Sequence, residues 1–143
     1  MAHLNDRRPR VIVADDHPSV LAAFVRMLEQ TCDVVASVSN GRDALDAVAR
    51  LEPDILVVDL MMPDLDGLAI CRQVKERTSQ TDVAIVTAFD DAHVRSIALQ
   101  GGASAFVPKH SAAEMLEPTI HRIFSERHVA GHQTARHDDE PRS

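Results

Sequence analysis

At 143 residues the chain fits one domain, long enough to bury roughly two-thirds of its unfolded surface without help from a metal or a disulfide. Apolar residues make up 45% of it, with no Trp or Tyr and four Phe, which points to a core of Val, Leu, Ile and Ala. A net charge of −7 argues against direct nucleic acid binding, and no apolar run approaches the ~20 residues of a membrane span.

Residues 1–9 form a polar lead, in which Arg7, Arg8 and then Arg10 read as a solvated strand entry rather than a phosphate site. No charged segment followed by an apolar core and a small-residue cleavage site opens the chain, so a cytoplasmic protein is expected. Arg10 to Asp15 is a short β-branched run without polar alternation, the pattern of a strand buried on both faces. His17-Pro18-Ser19 opens a helix, because proline is tolerated in a first turn, and Val20, Leu21, Phe24, Val25 and Leu28 recur on one face. Cys32 to Val38 is a second strand. Ser39-Asn40-Gly41 breaks it before Ala44, Leu45, Val48 and Leu51 form another apolar stripe, which Pro53 ends. Cys32 and Cys71 lie apart in apolar surroundings and read as reduced, packed thiols.

Asp54 to Asp59 is the third strand, and the turn formers of Met62-Pro63-Asp64-Leu65-Asp66-Gly67 lead into an amphipathic segment through Leu68, Cys71 and Val74. Asp82 to Thr87 is the fourth strand; Asp90 or Asp91 caps a helix through Val94, Ile97 and Ala98 to Gly101-Gly102, and Ala103 to Val107 is the fifth strand. Ser111-Ala112-Ala113-Glu114 matches a capping box for a last helix. Pro118 removes the hydrogen bond to the Glu114 carbonyl, at a cost of about 3 kcal/mol, and predicts a kink or a restart. The 127–143 segment turns polar and is expected to be a disordered tail, with His128, His132 and His137 solvated like His121 rather than gathered on a metal. Strands that begin roughly every 20 to 28 residues suit right-handed crossovers, and the predicted fold is a five-stranded doubly wound α/β domain over 10–126.

Polar residues stand just past four of these apolar runs: Asp15 and Asp16, Asp59, Thr87, and Lys109. Singly, each has an ordinary explanation as a helix cap, a turn residue, a strand end or a surface cation. Parallel strands, however, bring their carboxyl ends to one edge, where open α/β sheets bind ligands. Together these residues supply carboxylates for a hard divalent cation, a carboxylate nucleophile, and a hydroxyl and an ammonium to meet phosphoryl oxygens.

Val-Ala-Asp15-Asp16-His17-Pro18, Asp59-Leu-Met-Met-Pro63-Asp-Leu-Asp-Gly67, Thr87-Ala88 and Phe106-Val-Pro-Lys109 agree in order and spacing with the motifs of a known family. Over residues 10 to 126 the chain resembles the receiver domain of two-component response regulators, and most of all receivers of the LuxR or FixJ type. The resemblance implies a flavodoxin-like sheet of order 2-1-3-4-5 flanked by five helices. It implies Mg²⁺ held by Asp16, Asp59 and the backbone carbonyl of Met61, with Asp15 acting directly or through water. Asp59 is then the phosphoacceptor for a sensor histidine kinase or phosphotransfer protein, assisted by Thr87 and Lys109. Thr87 and Phe106 form the switch to a downstream effector protein. The face carrying Val94, Ile97 and the last helix is the candidate for a phosphorylation-dependent homodimer.

The chain departs from the family pattern in three places. Pro108 precedes Lys109 and His110 follows it, so no cis bond is expected after the lysine. Phe106 lacks a phenol hydroxyl and switches by bulk alone. Met61 and Phe89 put large apolar groups where attacking water would pass, which implies slow loss of the phosphoryl group. Nothing in 127–143 reads as a DNA-recognition helix, leaving either a stand-alone receiver or one truncated from a LuxR-type transcription regulator. Two other classes compete: a haloacid dehalogenase-type phosphatase, which wants Asp-x-Asp after its first strand, and a pseudo-receiver that binds without phosphate.

Overall fold

The computed structural model describes residues 7–137. Its elements alternate throughout: β1 (Arg10–Ala14), α1 (Pro18–Leu28), β2 (Asp33–Val38), α2 (Gly41–Leu51), β3 (Ile55–Asp59), α3 (Gly67–Arg77), β4 (Asp82–Thr87), α4 (Ala92–Gln100), β5 (Ala105–Pro108) and α5 (Ala112–His137). All strand pairs are parallel and the order is β2-β1-β3-β4-β5, as expected. The chain winds outward from β1 to β2, then returns to β3 on the other side of β1, so the reversal falls between β1 and β3.

Side chains alternate across the sheet, and both sets are apolar because both faces are covered. Ile12, Leu56, Val58 and Ile85 pack against Ala47, Ile70, Val74 and Ala98 of α2, α3 and α4. Val11, Val13, Val57 and Val86 pack against Phe24, Leu28, Leu116 and Ile120 of α1 and α5. Cys32 and Cys71 are buried free thiols, and burial pushes both above the usual thiol range.

Short polar links set the helix ends. Asn40, Asp66 and Asp91 accept backbone N–H bonds at the starts of α2, α3 and α4. The basic cluster works at the opposite ends: Arg8 donates to the carbonyls of Glu29 and Cys32, and Arg10 to those of Leu51 and Glu52. These cations meet the negative ends of α1 and α2, in keeping with a structural role for the arginines.

Three expectations are corrected at the last helix. The capping box gives way to a 3₁₀ turn over Lys109–Ser111 that runs straight into α5, and Ser111 Oγ lies 3.2 Å from His110 Nδ1. An N-cap needs extended backbone, which that turn denies to Ser111. No restart occurs at Pro118, since α5 is continuous across it. Leu116, Ile120, Ile123 and Phe124 are buried on the α1 side of the sheet, and at about 1.5–3 kcal/mol each they outweigh one missing hydrogen bond. Nor does the polar segment begin as a disordered tail at 127: the backbone stays helical to His137. Arg127 is tied to Asp82 at 2.6 and 2.9 Å, and His128 Nδ1 lies 2.9 Å from the Phe124 carbonyl. Residues 138–143, and the side chains of His132 and His137, lie outside the described residues.

Candidate functional site

The carboxyl edge of the sheet gathers the polar strand ends. Asp15 and Asp16 follow β1, Asp59 ends β3, Thr87 ends β4, and Lys109 follows β5. Register brings them close: Ala14 lies beside Val58, Asp59 beside Val86, and Thr87 beside Pro108. Asp15 is 1% exposed, Asp59 3% and Thr87 0%, so the chain places two carboxylates and a hydroxyl where solvent hardly reaches.

Buried acids side by side repel, and the lysine answers them. Lys109 Nζ lies 3.0 Å from Asp15 Oδ2 and 3.3 Å from Asp59 Oδ2. Burial pushes the Asp59 carboxyl above the usual range, the charge of Asp15 adds to that, and Lys109 opposes both. Burial pulls the Lys109 ammonium down, but contact with Asp15 and the charge of Asp59 outweigh it and hold the group above the usual lysine value. One lysine therefore leaves a net negative pocket.

Local chain geometry aims these groups. Asp15 Oδ1 accepts the His17 backbone N–H at 2.9 Å, so Asp15 closes a turn rather than capping α1, whose N-cap residue is His17 without a side-chain bond. Asp59 Oδ1 accepts the Met61 N–H at 3.3 Å. The loop beyond is fastened at two points. Asp64 accepts from the N–H groups of Gly41 and Arg42 at the start of α2, which lowers its pKa, and Gly67 lets α3 approach β3 so closely that a Cβ there would lie 2.8 Å from Leu60 Cα.

Donor atoms of Asp15, Asp16, His17 and Asp59 all lie within 4.8 Å of one another, a spacing that suits one divalent cation. Asp16 Oδ1 is buried without a hydrogen-bond partner, as is Asp15 Oδ2, whose contact with Lys109 is an ion pair rather than an aligned hydrogen bond. Oxygens left in this way fit a hard cation. His17 escaped the sequence reading as a site residue; the only signal was its place between the acidic pair and Pro18, which turns its ring back over the edge.

Thr87 and Phe106 stand outside the charged cluster. The Thr87 hydroxyl accepts the Phe89 N–H at 3.0 Å. Phe106 is buried against the core shared by α2, α3 and α4, with the Arg95 guanidinium 5.0 Å from its ring centroid. Met61 and Phe89 are 54% and 52% exposed at the rim. Every described peptide bond is trans, including the one after Lys109. A groove of about 470 Å³ between Leu45, Val48, Val74 and Thr78 lies at the other edge of the sheet, away from these residues.

With this geometry in place, the comparison with known proteins is decisive: the response regulator receiver domain family matches residues 11–121. The chain belongs to that family. It is a receiver domain, a phosphoacceptor module of two-component signalling rather than an ordinary turnover enzyme. Response regulator MprA of Mycolicibacterium vanbaalenii is 37% identical over 107 residues, which cover 75% of this chain and 46% of that protein. MprA of Mycobacterium leprae is 37% identical over 115 residues, covering 80% of this chain and 50% of that one. The receiver thus spans about half the length of the curated relatives it matches. A two-component response regulator of the LuxR family from Aurantimonas sp. SI85-9A1 superposes with a TM-score of 0.79 at 27% identity, over 83% of this chain and 86% of that one. Among the described residues no helix is long and apolar enough to cross a membrane.

Proposed function

We propose that Asp59 accepts a phosphoryl group from the phosphohistidine of a sensor histidine kinase or phosphotransfer protein, and that the receiver then switches to engage a downstream effector in the cytoplasm. The carrying observation is the Asp59 carboxylate, almost fully buried, 3.3 Å from Lys109 Nζ and within one cation's reach of Asp15 and Asp16. An Asp59 oxygen attacks phosphorus in line; the new O–P bond forms as the P–N bond to the donor imidazole breaks, and the electron pair leaves with that nitrogen. Lys109 meets the equatorial oxygens, where its effect is positioning and charge rather than proton transfer. Asp16, Asp59 and the Met61 carbonyl, with Asp15 nearby, are the groups that would hold Mg²⁺. When bound, Mg²⁺ supplies charge neutralisation between the acids and the incoming phosphate.

The hydroxyl of Thr87, now held by the Phe89 N–H, leaves that bond for a phosphoryl oxygen, and Phe106 moves into the space vacated. The surface built from α4, β5 and α5 changes shape, and it carries the exposed Ile97, Leu99 and Met115 for an effector or for a second copy of the receiver. This chain is not expected to touch nucleic acid itself, given its net charge of −7.

Incubation with acetyl phosphate and Mg²⁺ should add about 80 Da at Asp59. Asp59→Asn should take up none, and an unlabelled wild type would leave the pseudo-receiver reading in its place. The same adduct should outlive the one formed on Met61→Asn or Phe89→Ala, because the large rim side chains exclude water; equal decay would remove that part of the reading.

A further inference from the structure

We infer that His17 contributes an imidazole nitrogen to the cation position, so that removing it weakens binding of Ni²⁺-class ions selectively over Mg²⁺. This rests on reading Asp15, Asp16 and Asp59 as the receiver's cation position. His17 Nδ1 lies 3.1 Å from Asp15 Oδ1 and 3.3 Å from Asp16 Oδ1. Metal–donor bonds of about 2.1 Å put neighbouring donors of an octahedron about 3 Å apart and opposite ones about 4.2 Å apart. Both His17 separations match the shorter value, and the 4.8 Å span of all four donors is close to the longer one.

One ordinary use of the ring is absent: His17 is the N-cap residue of α1, yet its side chain makes no capping bond. The other is present, since Asp15 Oδ1 accepts the His17 backbone N–H at 2.9 Å and lies in hydrogen-bond contact with the ring Nδ1 at 3.1 Å, a contact that a cation seated between them would replace. Asp16 Oδ1 faces the ring nitrogen but remains buried without a hydrogen-bond partner, and Asp15 is 1% exposed with its Oδ2 in the same condition. Lys109 does not compete for the same atoms: it approaches Oδ2 of Asp15 and of Asp59, whereas His17 approaches Oδ1 of Asp15 and of Asp16.

Oxygen donors suit Mg²⁺ and Mn²⁺, while imidazole suits Ni²⁺, Co²⁺ and Zn²⁺. Any donor set already ranks Ni²⁺ above Mn²⁺, so a bare preference decides nothing. The decisive quantity is the change on removing the ring. The side chain of His17 is 61% exposed and caps nothing, so His17→Ala should fold normally.

The test titrates the full chain and His17→Ala with Ni²⁺ and with Mg²⁺ by calorimetry. Only Ni²⁺ that excess Mg²⁺ displaces is scored, because the chain carries eight histidines. Electron spin-echo spectra of the Mn²⁺-loaded proteins are recorded alongside. The wild type should show nitrogen modulation from a directly bound imidazole. In His17→Ala the modulation should vanish and Ni²⁺ affinity should fall about tenfold or more, the scale on which even outer-sphere partners act, and by a clearly larger factor than Mg²⁺ affinity. Nitrogen-free spectra of the wild type, or a parallel loss of both affinities, would overturn the inference while leaving the Mg²⁺ position intact. Absence of any displaceable cation would overturn it together with the reading beneath it, which acetyl phosphate labelling of Asp59 tests separately.

Discussion

Asp59 is held where a carboxylate is least comfortable, at the end of a buried strand and facing Asp15. Its folded pKa lies above the unfolded one, so its ionisation costs stability at neutral pH, and the cost disappears as pH falls below the unfolded value of about 3.9. Asp59→Asn should therefore raise Tm at pH 7 without divalent cations, by about 1 kcal/mol or roughly 3–5 °C. Lys109 keeps its 3.0 Å contact with Asp15 in that variant, so the gain is not cancelled. The advantage should close by about pH 3.5, below the unfolded value; melts showing no gain at pH 7 would mean that Lys109 already offsets the repulsion. At this scale the sequence was informative because strand ends are fixed in space by the sheet: Asp15, Asp16, Asp59 and Lys109 converge as their positions after apolar runs imply. The orientation of His17 was not legible, since it depends on the turn that Asp15 and Pro18 make together.

The elements themselves followed from periodicity, with exceptions at the last helix. At Ser111 the 3₁₀ turn replaces the extended backbone that a cap needs, and at Pro118 tertiary contacts override the local penalty. Leu116 and Ile120 are fully buried on either side of the proline, whereas Pro118 itself faces solvent. The helix thus carries a local penalty that packing conceals. Pro118→Ala restores a donor for the Glu114 carbonyl and removes no buried surface, so it should stabilise the receiver by about 1–3 kcal/mol in denaturant titration, with the m-value unchanged. A destabilised variant would show that Pro118 sets a bend which the contacts of α5 require.

Across the whole molecule, α5 is fastened to the sheet at two points, by the Lys109 turn at the carboxyl edge and by Arg127, within the helix, at the amino edge. Arg127 lies one residue past the boundary that composition suggests, because hydropathy records apolar burial and not an ion pair to a partner 45 residues away. Its guanidinium holds Asp82 through two bonds, with Ser104 Oγ adding a third at 3.0 Å. Burial pushes Asp82 up, but these partners outweigh it and hold its carboxyl below the usual range. A folded pKa below the unfolded one means that the clasp contributes in full above about pH 3.9 and is lost only as pH falls through the lower folded value. Arg127→Ala should cost about 1–2 kcal/mol, discounted because the arginine is 35% exposed. The stability difference from wild type should stay flat from pH 7 to pH 5 and shrink in stronger acid, as followed by thermal melts. A difference that instead fades between pH 7 and pH 5 would show that the arginine acts through a partner other than Asp82.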